Sequence, residues 1–122
     1  MSDSRKRTGA DGEKRAAQYL KNCGFSIIAR NWRIKSGEID IIAHRNDTLV
    51  FFEVKTLPHG NADTLAHVLD ARKQKRIVEI SKRFIAINRQ YSKSYIRYDV
   101  IVVDMPGMPE IYHIEDAFSE LL

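Results

Sequence analysis

The residues best suited to chemistry lie in "GEIDIIAHRNDTLVFFEVKT", residues 37 to 56. Two runs rich in Ile, Val and Phe flank a polar "RND" break, the pattern of a hairpin of half-buried strands. Side chains alternate faces along a strand. Val50, Phe52 and Val54 therefore share one face, and Phe51, Glu53 and Lys55 the other. On the preceding strand Ile39, Ile41 and Ala43 fall together, opposite Glu38, Asp40 and Ile42. If the hairpin is centred between Asn46 and Asp47, as for a two- or four-residue loop, Asp40 lies across from Glu53 and Glu38 across from Lys55. An odd loop length breaks that match.

Two carboxylates facing each other across a sheet repel. At about 4 Å and an effective dielectric near 20, the repulsion is on the order of 4 kcal/mol before screening. A folded chain relieves it by protonating one acid, by supplying a cation or by binding a metal. Oxygen ligands favour a hard divalent ion, Mg²⁺ or Mn²⁺. Charges that keep a hairpin edge from aggregating give the same residue types, so that reading stands beside the first. Two other positions bear on the choice. Glu13 shares a helical stripe with Ala17 and Leu20, which turns its carboxylate toward the core, although an acid near a helix start also answers the helix dipole. Lys73 shares a stripe with Leu69, Ile77, Ile80 and Phe84, where a snorkelling lysine is the competing explanation.

The elements that carry these groups follow from periodicity and turn signals. Ala10, Ala17 and Leu20 predict a helix from Thr8 or Gly9 to about Cys23, stopped by Asn22 and Gly24. "FSIIARNWRI", "EIDIIAH" and "TLVFFEVKT" predict three strands, and "LPHGNAD" a loop. A long helix over about Thr64 to Ile87 follows, then the strands "YIRYDVIVVD" and "EIYHIE", with "DAFSELL" closing as a helical turn. The order αβββαββ is an α/β fold built on a mixed β-sheet flanked by helices.

With 122 residues, 43% of them hydrophobic and 30% charged, the chain suits one domain, expected over residues 9–122 behind a flexible basic arm at 1–8. The 20 Lys+Arg against 16 Asp+Glu suit a polyanionic partner without requiring one. The lone Cys23 excludes an intrachain disulfide and fits a reducing compartment. No apolar run approaches the roughly 18 residues of a membrane span, so the expectation is a cytoplasmic protein. His44, His59, His67 and His113 lack the spacing of a zinc site, and no Gly-rich phosphate loop is present.

Glu13 in "GEKRAAQYL", the strand "GEIDIIA", "VFFEVKT" and the late "RYDVIVVD…IYHIEDAF" together resemble the YraN-like uncharacterised family (UPF0102). That family is similar to the Holliday junction resolvases of the PD-(D/E)XK nuclease superfamily. The resemblance runs from about Gly12 to Phe118 and implies a restriction-endonuclease-like fold. It puts Asp40 at the superfamily's metal-binding aspartate, Glu53 and Lys55 at its (D/E)XK pair, and Glu13 at the glutamate of resolvase-like members. The chain departs from the family's Lys-Thr-Arg sequence, because Leu57 follows Thr56.

The resulting expectation is a metal-dependent nuclease that hydrolyses phosphodiester bonds in DNA, including branched or junction DNA. Asp40, Glu53, Glu13 and the backbone carbonyl of Val54 would hold Mg²⁺ or Mn²⁺, and Lys55 would stabilise the transition state. Arg72, Lys73, Gln74, Lys75 and Arg76 would meet nucleic acid, and a two-fold homodimer would suit a junction. The alternative is a non-catalytic module on the same fold, binding nucleic acid or a partner protein.

Overall fold

The computed structural model describes the backbone of residues 2–120 and the side chains of residues 8–120. Helix α1 spans Ser2–Asn22, followed by strands β1 (Ser26–Ile34), β2 (Gly37–Arg45) and β3 (Thr48–Thr56). Helices α2 (Ala62–Val68) and α3 (Ala71–Ile87) come next, then a 3₁₀ turn at Arg89–Tyr91, and strands β4 (Tyr95–Val103) and β5 (Ile111–Phe118). The five strands form one sheet in chain order. Only β3 and β4 run parallel, joined by the crossover that contains α2 and α3.

Helix α1 presents Ala16, Ala17 and Leu20 to the sheet, while Ala10 of the expected stripe is exposed. Its end is a Schellman motif. Gly24, at φ 90°, donates to Lys21 O, and Phe25 N–H reaches back to Leu20 O. Phe25 and Leu20 then meet in the core, the hydrophobic contact that accompanies this cap. Helix α1 already includes residues 2–8, the segment expected as an arm; Met1 lies outside the described residues.

The hairpin of β2 and β3 has a two-residue loop, with Arg45 opposite Thr48 and Asn46 at φ 57°. Asparagine tolerates that left-handed conformation at little cost. Strand β3 is buried along most of its length because helices cover both faces of the sheet. Under α1 lie Ile41, Ala43, Val50, Phe52, Val54, Ile101 and Val103. Under α3 lie Ile42, Leu49, Phe51, Tyr98, Val100 and Val102 with Ile77, Ile80 and Phe84 of the helix.

Three expectations need correction. The long helix is two helices, because Leu69 (φ −120°, ψ 56°) ends α2 and Asp70 caps α3 by accepting from Lys73 N–H. An Asp side chain at that position competes with helix continuation and favours a new start. "DAF" does not begin a helical turn but completes β5, which runs to Phe118, and residues 121–122 lie outside the described residues. Strict alternation also fails in β2. Ile39 packs under α3 with Trp32 and Ile42, not with Ile41 and Ala43.

That last break coincides with an irregularity in the sheet. The β1–β2 register runs Arg30↔Ile41 and Trp32↔Ile39, so Asn31 stands where a partner for Asp40 would be. Asn31 is left-handed, at φ 52°. On the other side, the β2–β3 ladder ends at Ile41↔Phe52, one step short of Asp40 and Glu53. Asp40 therefore sits at a gap in both ladders.

Candidate functional site

At this gap the side chain of Asp40 takes over a backbone role. Its Oδ2 accepts from Val54 N–H at 2.8 Å, so a carboxylate closes the bond that a strand carbonyl would otherwise make. The pairing register carried one step further sets Asp40 against Glu53, as the hairpin centre predicted. The two acids are 8% and 4% exposed. Burial pushes the Asp40 carboxyl up to about 9, and hydrogen bonding to Glu53 and the Glu53 charge act in the same direction. The Val54 N–H opposes the rise without overcoming it. The Asp40 carboxyl therefore keeps its proton near neutral pH.

Helix α1 brings in the third acid. Burial raises the Glu13 carboxyl; Arg30 opposes it, Glu38 adds, a hydrogen bond from Asn31 opposes, and Glu53 adds. Its Oε1 is buried without a hydrogen-bond partner, as is Oε2 of Glu53. The Glu53 oxygen has the Lys73 ammonium 3.2 Å away as a charge partner, so Glu13 Oε1 is the buried oxygen left without a bonded group, which is rare in a native interior. Glu13, Val54 and Lys55 line a cavity of about 500 Å³ together with Thr8, Gly9, Thr56, Pro58 and His59. Gly12 makes this approach possible, because a Cβ there would stand 2.0 Å from Thr56 Oγ1. Any other residue would force Thr56 into another rotamer or α1 away from β3.

Among the described residues no three His, Cys, Asp or Glu side chains are close enough to cage an ion by themselves. The donor set is the facing Asp40 and Glu53 side chains with Glu13 set back; Glu13 Oε1 makes no hydrogen bond, and Glu53 Oε2 faces only the Lys73 ammonium, at 3.2 Å. Mg²⁺ suits such a set, since it typically takes one or two carboxylates and completes its shell with water and phosphate. The residues thus fit a hard divalent ion.

The other expected positions are distributed less evenly. Lys55 lines the cavity and has no ion-pair partner among the described residues. Glu38 does not meet Lys55; it is bound across the β1–β2 ladder by Arg33, at 3.0 Å from Nε and 2.6 Å from the terminal nitrogen. The β2 and β3 strands have parted before those two positions could face. Lys73 reaches in from α3, with Nζ 3.2 Å from Glu53 Oε2. Gln74 donates to Leu69 O and lines a groove with Lys75, Val78, Lys82 and Glu120, away from the acidic pair. Arg72, Lys75 and Arg76 are exposed.

A second polar constellation was not anticipated. Asp99 is 0% exposed on β4. It accepts from Arg97 at 2.9 Å through both oxygens, from Asp116 N–H at 3.0 Å, and meets His113 Nε2 at 2.7 Å. Burial pushes its carboxyl up, but the bonds from His113, Arg97 and Asp116 outweigh it and hold it below the usual range. His113 Nδ1 lies 3.1 Å from the Tyr19 hydroxyl, tying α1 to the sheet. Asp99 was hidden in "YDVIVV", an apolar run in which one acid gives no sign of its partners. Arg15 makes a further tie from α1, gripping Asp104 through two nitrogens at 2.8 and 2.9 Å.

The comparisons with known proteins agree with this layout in extent. The model of the family described as "Uncharacterised protein family UPF0102" matches residues 12–103. A UPF0102 protein of Treponema pallidum (strain Nichols) is 44% identical over 126 residues, covering 100% of both chains. One from Treponema denticola is 42% identical, covering 92% of this chain and 95% of its own. One from Alkaliphilus oremlandii is also 42% identical, covering 93% and 98%. The matched span takes in Glu13, Asp40, Glu53, Lys55 and Lys73 together with β1 to β4. This chain belongs to the uncharacterised protein family UPF0102.

Proposed function

We propose that this protein is a metal-dependent nuclease that hydrolyses phosphodiester bonds in DNA, using Mg²⁺ or Mn²⁺ held by Asp40 and Glu53. The observation that supports it most is the burial of two acids, Asp40 and Glu53, at the gap between β2 and β3, with Glu53 Oε2 making no hydrogen bond. A sheet built only for stability would place apolar side chains there. When bound, a divalent ion would acidify a water and offset charge growing on the phosphate. Asp40 and Glu53 would hold that ion, with the Val54 carbonyl as an additional oxygen. Glu13 would orient a water at the mouth of the cavity.

Lys55, with no carboxylate partner among the described residues, is free to stabilise a phosphoryl oxygen. The exposed Arg72, Lys75 and Arg76 on α3 would neutralise backbone phosphates. One observation favours a second reading, a non-catalytic nucleic-acid-binding module. Lys73 already supplies a positive charge to Glu53, so the site persists without an ion.

The test is a panel of linear, flap and four-way DNA incubated with Mg²⁺ or Mn²⁺ and the full chain. Metal-dependent cleavage is expected, lost in Glu53→Gln and reduced about a hundredfold or more in Lys55→Ala. Cleavage that survives both substitutions would reject the site. Binding without cleavage of any substrate would favour the second reading.

A further inference from the structure

The contact between Lys73 and Glu53 has features that an ordinary salt bridge lacks. The 3.2 Å approach brings charge to charge, yet Glu53 Oε2 receives no hydrogen bond from it. Glu53 is buried and Lys73 is only partly so, with about a third of its side chain exposed. The contact is thus closed on the carboxylate side and open on the ammonium side. The backbone of Lys73 is fixed by the Asp70 cap at the first turn of α3, while four flexible methylenes separate it from the charge. A compact, mobile cation rests against an oxygen that the proposed function assigns to a divalent ion.

Building on that function, we infer that Lys73 is a tethered substitute for the metal. It neutralises Glu53 in the unloaded protein, competes with the divalent ion for that carboxylate, and is released toward the substrate phosphate once the ion binds. Two cations cannot share Glu53 Oε2 at contact distance without strong mutual repulsion. Arriving metal therefore displaces the ammonium group, whose partly exposed position leaves it a route outward. Loading the site and arming a phosphate contact become one event. A purely structural bridge would do neither.

The experiment measures Mn²⁺ binding to the full-length protein by calorimetry, in wild type, Lys73→Gln, Lys73→Arg and Glu53→Gln. The amide of Lys73→Gln can still hydrogen-bond Glu53 and so protects the fold. Lys73→Gln is expected to bind Mn²⁺ about tenfold more tightly than wild type, Lys73→Arg about as wild type does, and Glu53→Gln not at all. With the ion present, Lys73→Gln should also lower the salt slope of binding to duplex DNA by about one, with no change when the ion is absent.

Unchanged or weaker Mn²⁺ binding in Lys73→Gln, beside a wild type that binds and a Glu53→Gln that does not, would overturn the role of Lys73 and leave the metal site standing. Tighter binding in both Lys73→Gln and Lys73→Arg would also overturn it, since charge would not be the cause. No binding in any variant would remove both this role and the proposed function.

Discussion

Replacing Asp40 by Asn tests the carboxylate pair most directly, because the expected result runs against the usual effect of altering a buried group. The Asp40 carboxyl stands at about 9 against an ordinary 3.8. At pH 7 the unfolded chain has released this proton and the folded chain has not. At about 1.4 kcal/mol per unit, over the three units from 3.8 to 7, the folded state is disfavoured by up to about 4 kcal/mol. A raised carboxyl has its full stability below 3.8 and loses it as pH climbs toward 9. Asn removes the titration, and its side-chain oxygen can still accept from Val54 N–H. Its amide can donate to Glu53, as the protonated acid does.

Metal-free Asp40→Asn should therefore gain about 1–3 kcal/mol at pH 7, less than the limit because water and side-chain relaxation soften buried charge. Urea unfolding at pH 5, 7 and 8.5 is the assay. The advantage of the variant should widen with pH, since wild type alone loses stability through this window. Adding Mn²⁺ should stabilise wild type and leave Asp40→Asn nearly unmoved. A variant that is less stable than wild type at pH 7, or that keeps the wild-type pH slope, would refute the raised Asp40 carboxyl.

Three further substitutions probe what surrounds the pair. Gly12→Ala should lower stability by about 1–3 kcal/mol, because the new Cβ falls 2.0 Å from Thr56 Oγ1, and adding Thr56→Ala should recover part of it in thermal melts. Asp99→Ala should cost about 3–5 kcal/mol by stranding Arg97, His113 and the Asp116 N–H, measurable as a lower urea midpoint. Because the Asp99 carboxyl is depressed, its contribution is present above 3.8 and should fade only as pH drops below that value; unfolding between pH 5 and 2 reads this. Glu38→Gln should change stability by less than about 1 kcal/mol, since its partner Arg33 is largely exposed; a larger loss would tie Glu38 to the acidic site.

The hairpin was legible because its information is local. The alternation of "EIDIIAH" and "LVFFEVKT" and the polar "RND" set the strands, and an even loop set Asp40 against Glu53. Charge at such a place in a buried strand already implied a proton, a cation or a metal. The stripe of Glu13 with Ala17 and Leu20 correctly turned that carboxylate inward. The division of the long helix was also written in the chain, as an Asp ahead of "ARKQ", but the continuing apolar stripe outweighed it.

What the chain could not announce depends on residues far apart meeting. Alternation assigned Ile39 to the face of Ile41, whereas in the fold it joins the core under α3, beside the gap between Asp40 and the left-handed Asn31. The register set Lys55 across from Glu38 and the helical stripe turned Lys73 toward the core, but only the packing of α3 over the sheet brought Lys73 to Glu53. Asp99 looked like an isolated acid in an apolar strand until β5 supplied His113 and the Asp116 N–H. The close approach at Gly12 exists only where α1 crosses Thr56. Sequence alone thus determined the acids and the strands that carry them, because propensity and turn chemistry act over a few residues. The tertiary structure decided their proton, their counter-charge and their distance from α1, because those depend on burial and on which helices close over the gap.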